Sequence, residues 1–448
     1  MATVAPKPAK RRKASSRPTT GQAHFAFSVL FLVNVLNYAD RYVLSAVLPN
    51  IKHDFHLTDF VGGLLISSFL IVYAVAALPL GVWADRGVRK NIVALCVGIW
   101  SMATAMAGFT QNIVQLFSMR AILGIGEAGY GPASLSLLGD FFSRTKRGRV
   151  LSFWSMGTLL GAAIGVALGG RIADTLGWRW AFYIVGIPGL IAALLAWRIT
   201  EPARGAFDNE VEQANELIAR RDSVQEHGKI GKDFWETAGK LFQIPTYWVV
   251  LGAFIFSFFT IGGTSFWLTS YLTRAFELSL TQAGSLSGVV LVSSGVSGTL
   301  LGGWLADFMQ RRRPEGRLFT CMLGFLIGAP LVLVSLFIHT LLPFIAVFVI
   351  AAISLNFCTG PLNAVIQDVI APEMRATAVG LALLLAHLLG DASAPTLIGL
   401  ISDRTSLGTA LLVTAPLFLF LAGLVCLVGL RSVARDMKRM QEQMRAEG

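Results

Sequence analysis

Charge is what this 448-residue chain has least of: Asp, Glu, Lys and Arg make up 14% of it, against 54% hydrophobic residues. Soluble domains carry about 25% charged residues, so the chain cannot clothe a soluble globule of its size. The same apolar content excludes a disordered protein. Cysteine is scarce too, and Cys96, Cys321, Cys358 and Cys426 lie singly in apolar stretches with no CxxC pair. They read as small buried hydrophobes, so neither a disulfide framework, a metal site nor a cofactor is expected. The few charges are unbalanced, at +11. A nucleic-acid partner is one reading of such an excess, and the location of the charges decides it.

What fills the chain is apolar runs. About 20 residues span a bilayer core, and twelve such stretches occur, at roughly 24–48, 60–84, 91–110, 113–139, 148–173, 179–198, 244–272, 281–306, 318–338, 341–367, 376–400 and 407–430. Six precede a polar break and six follow it. This divides the chain into a disordered basic N-terminus (1–23), a first six-helix bundle (24–199), a cytoplasmic linker (200–243), a second bundle (244–430) and a cytoplasmic tail (431–448). The linker holds nine of the 26 acidic residues and has helical character around Glu210, Glu212, Glu216 and Arg220. The first span is too long for a signal-peptide core.

Alternate loops sort the basic residues sharply. The termini and even-numbered loops hold 30 of the 37 Lys and Arg, and the opposite face holds only Lys52, Arg171, Arg179, Arg274 and Arg404. The positive-inside rule therefore places both termini in the cytoplasm. The first 23 residues contribute +6 and the tail from Arg431 contributes +2, so most of the +11 orients the chain against an anionic leaflet. No nucleic-acid partner is expected; the lipid bilayer is the partner.

A four-fold repeat underlies this layout. Gly81-x-x-x-Asp85 closes the second span and Gly303-x-x-x-Asp307 the eighth, each followed four residues later by an arginine, Arg89 and Arg311. Gly170…Asp174 and Gly399…Asp403 end the fifth and eleventh spans. Such nesting indicates three-span units, doubled twice, as in secondary transporters with alternating access. The string Gly81-Val-Trp-Ala-Asp85-Arg86-Gly87-Val-Arg89-Lys90 resembles the loop signature of the major facilitator superfamily. A stop-transfer cluster of positive charge would look similar, but the recurring Gly and Asp favour a conformational gate built on Gly81, Asp85, Arg86, Arg89, Lys90, Asp307 and Arg311.

Charges inside a membrane are costly and mark function by default. Asp40 and Arg41 lie within Asn37-Tyr38-Ala39-Asp40-Arg41-Tyr42, and Arg120 and Glu127 share one face of the fourth span, about two turns apart. The four can meet in the outward half of a central cavity. Burial disfavours an ionised carboxylate and an arginine favours it, so competition between a proton and an arginine for Asp40 or Glu127 offers a coupling mechanism. A static ion-pair network is the alternative. Gly124-Ile-Gly126-Glu-Ala-Gly129 formally fits a dinucleotide fingerprint, but no strand precedes it. Close helix packing explains it better, mid-way along an apolar helix.

The eleventh span reads His387-Leu-Leu-Gly390-Asp391-Ala392-Ser-Ala-Pro395. His387 and Asp391 share a face at i and i+4, either as a functional pair or as a structural one beside a Pro-bent helix. Other candidate cavity residues are Thr264 and Trp267 on the seventh span, with Asn356, Thr359 and Asn363 on the tenth, the last three at helical 3–4 spacing. Interhelical hydrogen bonding explains each of them singly as well.

The eleventh-span string, with Gly126-Glu127-Ala128-Gly129-Tyr130 and Thr200-Glu-Pro-Ala-Arg-Gly205, resembles the spinster branch of that superfamily over residues 24–430. The resemblance implies an all-α polytopic fold of twelve helices in two pseudo-symmetric six-helix bundles around a cavity. It also implies proton-coupled transport of lysolipids or sphingoid phosphates by a monomer in the cell (inner) membrane. Its cavity charges match Asp40, Arg41, Arg120 and Glu127, so Asp40 and Glu127 are expected to couple protons. Substrate is expected at Arg41, Arg120, Asn37, Tyr38 and Tyr130 and at the second-half candidates. Gly129 departs from the Ser of many relatives. The anion–cation symporter branch, which takes small organic anions such as sugar acids, shares Asn-Tyr-x-Asp-Arg and Gly-Glu-Ala. An embedded enzyme fits less well, since GxSxG, HExxH and Walker A strings are missing and no enzyme needs the repeat. A channel does not need asymmetric buried charges.

Overall fold

The computed structural model describes residues 18–206 and 230–447. Eleven of its helical stretches are long and apolar enough to cross a membrane. A twelfth crossing is made by two shorter helices in series. In the first bundle these crossings are α1 (Thr20–Phe55), α2 (Asp59–Arg86), α3 (Arg89–Ala107), α4 with α5 (Ile113–Ala128 and Tyr130–Phe141), α6 (Arg144–Thr175) and α7 (Trp178–Trp197). A short helix α8 (Ile230–Leu241) precedes the second bundle. That bundle comprises α9 (Pro245–Ala275), α10 (Leu280–Gln310), α11 (Gly316–Leu336), α12 with α13 (Leu341–Leu355 and Pro361–Val369), α14 with α15 (Arg375–Ala386 and Ala394–Arg404) and α16 (Leu407–Glu447). Twelve crossings bring both chain ends to one side, called here the terminal face; the other is the distal face.

Three crossings are interrupted where the sequence reads as continuous, and each interruption precedes a proline. Pro132, Pro361 and Pro395 have no N–H to give the carbonyl four residues back. The chain responds with a break at Gly129, a 3₁₀ turn at Asn356–Cys358 and a π turn at His387–Asp391. Proline alone is not sufficient, since Pro49, Pro79, Pro188, Pro330 and Pro416 sit inside unbroken helices. The glycine-rich string therefore ends a helix rather than lying mid-way along one. Its packing role is plain: a Cβ on Gly124 would fall 2.9 Å from the Phe69 carbonyl on α2, and one on Gly126 2.8 Å from the Trp100 nitrogen on α3.

Helix extends into both flanking segments. Helix α1 starts at Thr20, inside the stretch 1–23, because Thr19 and Gln22 cap each other reciprocally. The tail continues α16 as one helix to Glu447, with Val433 buried and Asp436 capping α9 through Thr246. The helical expectation at Glu210–Arg220 lies outside the described residues.

At the terminal face Arg89, expected in the gate, lies inside the first bundle. It is fully buried and clamps the first bundle together. Its guanidinium donates to Asp140, to the Ser136 hydroxyl at 2.9 Å, to Glu201 Oε1 at 2.9 Å and to the Pro202 carbonyl at 3.1 Å. The Lys90 amide meets Glu201 Oε2 at 3.0 Å, so Lys90 is held from the backbone. Asp307 and Arg311 are exposed, and the side chains of Asp85 and Arg86 lie outside the described set.

Removing one partner of a buried ion pair leaves the others uncompensated, at about 3–5 kcal/mol. Arg89→Ala is therefore expected to lose about 3 kcal/mol of stability, read as the melting transition of the purified protein, with Arg89→Lys restoring little because it lacks the fork. Arg311→Ala, at an exposed position, should stay within about 0.5 kcal/mol of the parent.

Candidate functional site

Half-way along α1, Asp40 and Arg41 point to different neighbours, as consecutive helical residues must. Asp40 is 1% exposed and accepts a hydrogen bond from the Thr104 hydroxyl on α3. Arg41 turns toward α2 and α4, where its Nε meets Glu127 Oε2 at 2.5 Å. The Arg41 guanidinium lies over three rings, Tyr38 at 5.0 Å, Phe69 at 5.3 Å and Tyr73 at 4.7 Å. Phe69 and Tyr73 stand four apart on α2, so they form one aromatic wall.

Arg120 comes from α4 one face away. It rests on the Phe182 ring at 5.4 Å and acts electrostatically on both Asp40 and Glu127. The four charges expected to meet do meet, but they are not equivalent. Arg41 keeps 14% of its side chain accessible, whereas Arg120 is 2% exposed. Arg120 is thus the more deeply enclosed of the two arginines.

The cluster is under-bonded. Asp40 Oδ1, Glu127 Oε1, Asn37 Nδ2 and Arg120 Nε and Nη2 are buried and make no hydrogen bond among the described residues. Buried polar groups are normally paired, so this network has spare donors and acceptors on both sides.

The second bundle contributes an amphipathic cavity beside this cluster. Tyr42 lines it from α1, and α9, α10 and the 3₁₀ turn after α12 supply Thr260, Thr264, Ser294 and Asn356. Apolar side chains such as Leu291 and Phe348 complete the wall. Tyr42 also stacks on Phe266 at 5.2 Å, tying the cavity to the residue next to Arg41. Thr264 and Asn356 thus lie where a substrate can reach them. Thr359 and Asn363 sit beyond the 3₁₀ turn, so the shared face expected from their spacing does not run on from Asn356 along one helix. Trp267 is completely buried, with its indole N–H on the Pro395 carbonyl at 3.1 Å, and serves packing. Tyr130 is likewise core, its hydroxyl on the Leu30 carbonyl at 3.2 Å.

His387 and Asp391 pair through Nδ1 and Oδ2 at 2.9 Å across the π turn. Asp391 Oδ1 is left without a hydrogen-bond partner among the described residues. The π turn that carries the pair also packs against α2 of the first bundle. Thr104, Phe69 and Tyr73 were not singled out by sequence. A lone hydroxyl on α3 and two rings on an apolar span carry no pattern that separates them from ordinary packing. The cysteines are all free and buried, and no metal-ligating cluster occurs among the described residues.

Comparison with known proteins agrees with this architecture. Residues 30–395 match the Major Facilitator Superfamily. Protein spinster homolog 3 of Danio rerio is 31% identical over 409 residues, covering 86% of this chain and 78% of that protein. Protein spinster homolog 1 of Xenopus tropicalis is 29% identical, with 85% and 73% covered. A bacterial homologue of the human lysosomal transporter spinster, solved in an inward-facing and unoccupied conformation, superposes with a TM-score of 0.77 at 24% identity, covering 95% of this chain and 99% of that one. The chain belongs to the major facilitator superfamily of membrane transporters, in its spinster-like branch.

Proposed function

We propose that this protein is a proton-coupled secondary transporter of an amphipathic anion, a lysophospholipid or sphingoid phosphate, working by alternating access in the cell (inner) membrane with the terminal face cytoplasmic. The observation that carries the reading is the juxtaposition of the under-bonded charge cluster with the mostly apolar cavity across Tyr42. An anionic headgroup placed at Arg41 competes with Glu127 for one guanidinium. Its apolar part then lies along the Leu291 and Phe348 side. A small sugar acid satisfies the first contact and leaves the apolar wall unused, which favours the lipid-like anion.

The coupling follows from the same competition. When substrate takes Arg41, Glu127 loses its counter-charge and burial then favours its protonated form. Asp40, held by Thr104 and facing Arg120, is the second carboxylate whose charge must be balanced. Arg120 supplies that balance from behind the cavity. His387 and Asp391 form a hydrogen-bonded pair in the second bundle, and the protein works as a monomer.

Three measurements check this reading. Asp40→Asn is expected to abolish pH-gradient-driven transport in proteoliposomes while the protein stays folded; full gradient dependence in that variant removes Asp40 from coupling. Arg41→Lys keeps charge and loses both the fork and the stacking, so binding of the anion should weaken about tenfold, the loss of one charge-assisted contact. Unchanged affinity sinks the assignment of Arg41. Finally, a binding panel should rank lysophospholipids above hexuronates; the reverse order replaces the substrate class by sugar acids.

A further inference from the structure

The Gly-x-x-x-Asp repeat has two copies at each face, and the structure treats the two faces oppositely. At the distal end of α6, Asp174 Oδ2 accepts the Thr281 amide at 2.7 Å and the Thr281 hydroxyl at 2.6 Å, in the first turn of α10. At the distal end of α15, Asp403 accepts the Asp59 amide at 2.7 Å and the Phe60 amide at 2.9 Å, in the first turn of α2. Both contacts cross between the bundles. The first N–H groups of a helix have no partner within it and carry partial positive charge, so each carboxylate satisfies orphan donors on the opposite bundle.

The glycine of each distal copy makes the approach possible. A Cβ on Gly170 would lie 2.2 Å from the Leu280 carbonyl oxygen, and one on Gly399 2.3 Å from that of Asp59. Asp59 is itself a hub. It receives both Arg274 Nη atoms at 2.7 Å, the Ser402 hydroxyl at 2.5 Å and Lys52. At the terminal face the glycines of the motif face open space: a Cβ on Gly81 or Gly303 meets nothing within 4 Å. α10 ends in the Gly303 copy and α2 in the Gly81 copy, so each helix carries a terminal copy at one end and meets a distal copy, on α6 or α15, at the other.

We propose that the four copies form one reciprocal locking device, in which Gly170/Asp174 and Gly399/Asp403 latch the distal gate shut here while the Gly81 and Gly303 copies close the terminal gate in the alternate state. This rests on alternating access, and it assigns Asp174 and Asp403 as gate residues without substrate contact. Each latch is a carboxylate that bonds a helix N-terminus in one state and is solvated in the other. Each glycine is the steric condition for that bond. The sign of a Gly→Ala change therefore depends on which face carries it.

The test is a distance across the distal face in the full-length protein in nanodiscs, using spin labels at Thr175→Cys and Ala275→Cys. Both positions are exposed and the native cysteines are buried, which keeps labelling specific. D174N/D403N should raise the distal-open population about tenfold, as expected for losing charge-assisted bonds at both latches. G170A/G399A should shift it the same way, and G81A/G303A should keep the short distance. No substrate is added, so the outcome stands whatever the protein carries. An unchanged distribution in D174N/D403N overturns the device, as does lengthening in G81A/G303A. If a double variant is not monodisperse, D174N and D403N singly decide: each must lengthen the distance, and failure of both overturns the proposal.

Discussion

The pairing of Arg41 with Glu127, at 2.5 Å inside an apolar bundle, is the interaction around which the rest is arranged. Charges taken out of water cost several kcal/mol each unless their surroundings compensate. Here the compensation is partial and distributed: an aromatic wall for Arg41, a hydroxyl for Asp40, and Arg120 placed to serve two carboxylates. A fully satisfied network would make a rigid core. One with unmatched donors and acceptors on both sides is open to rearrangement.

The packing around this cluster follows from the need to bring three helices close to α1 without widening the bundle. Gly124 lets α4 touch α2 and Gly126 lets it touch α3, so Arg120 and Glu127 reach α1 from the same helix. Gly129 then ends α4, and Pro132 prevents its continuation. Farther out, the Arg89 clamp makes the terminal end of the first bundle one body. Rigid bundles are what allow contacts at one face to trade against contacts at the other.

The two halves divide the labour unevenly although they share the Gly-x-x-x-Asp repeat. The first carries the enclosed charges; the second carries the cavity of hydroxyls, an amide and apolar side chains, with the π turn of His387–Asp391 turned toward the seam. Tyr42 and Phe266 join the two.

Residue order by itself determined the twelve crossings, the central division, the four-fold motif and the meeting of Asp40, Arg41, Arg120 and Glu127. Span length, helical spacing and the cost of intramembrane charge are local properties, so they are legible in one dimension. Only the tertiary structure decided that Arg41 pairs with Glu127 and keeps some exposure while Arg120 is enclosed, that Trp267 and Tyr130 are core, and that Arg89 is buried in a clamp of the first bundle. Exposure depends on which side chains other helices bring, and Thr104, Phe69 and Tyr73 leave no periodic trace of that. The same holds for the four glycines of the repeat. Identical in sequence, they differ in what stands 2–3 Å away or nowhere within 4 Å, because the relative tilt of two bundles is a property of the pair and of neither chain segment.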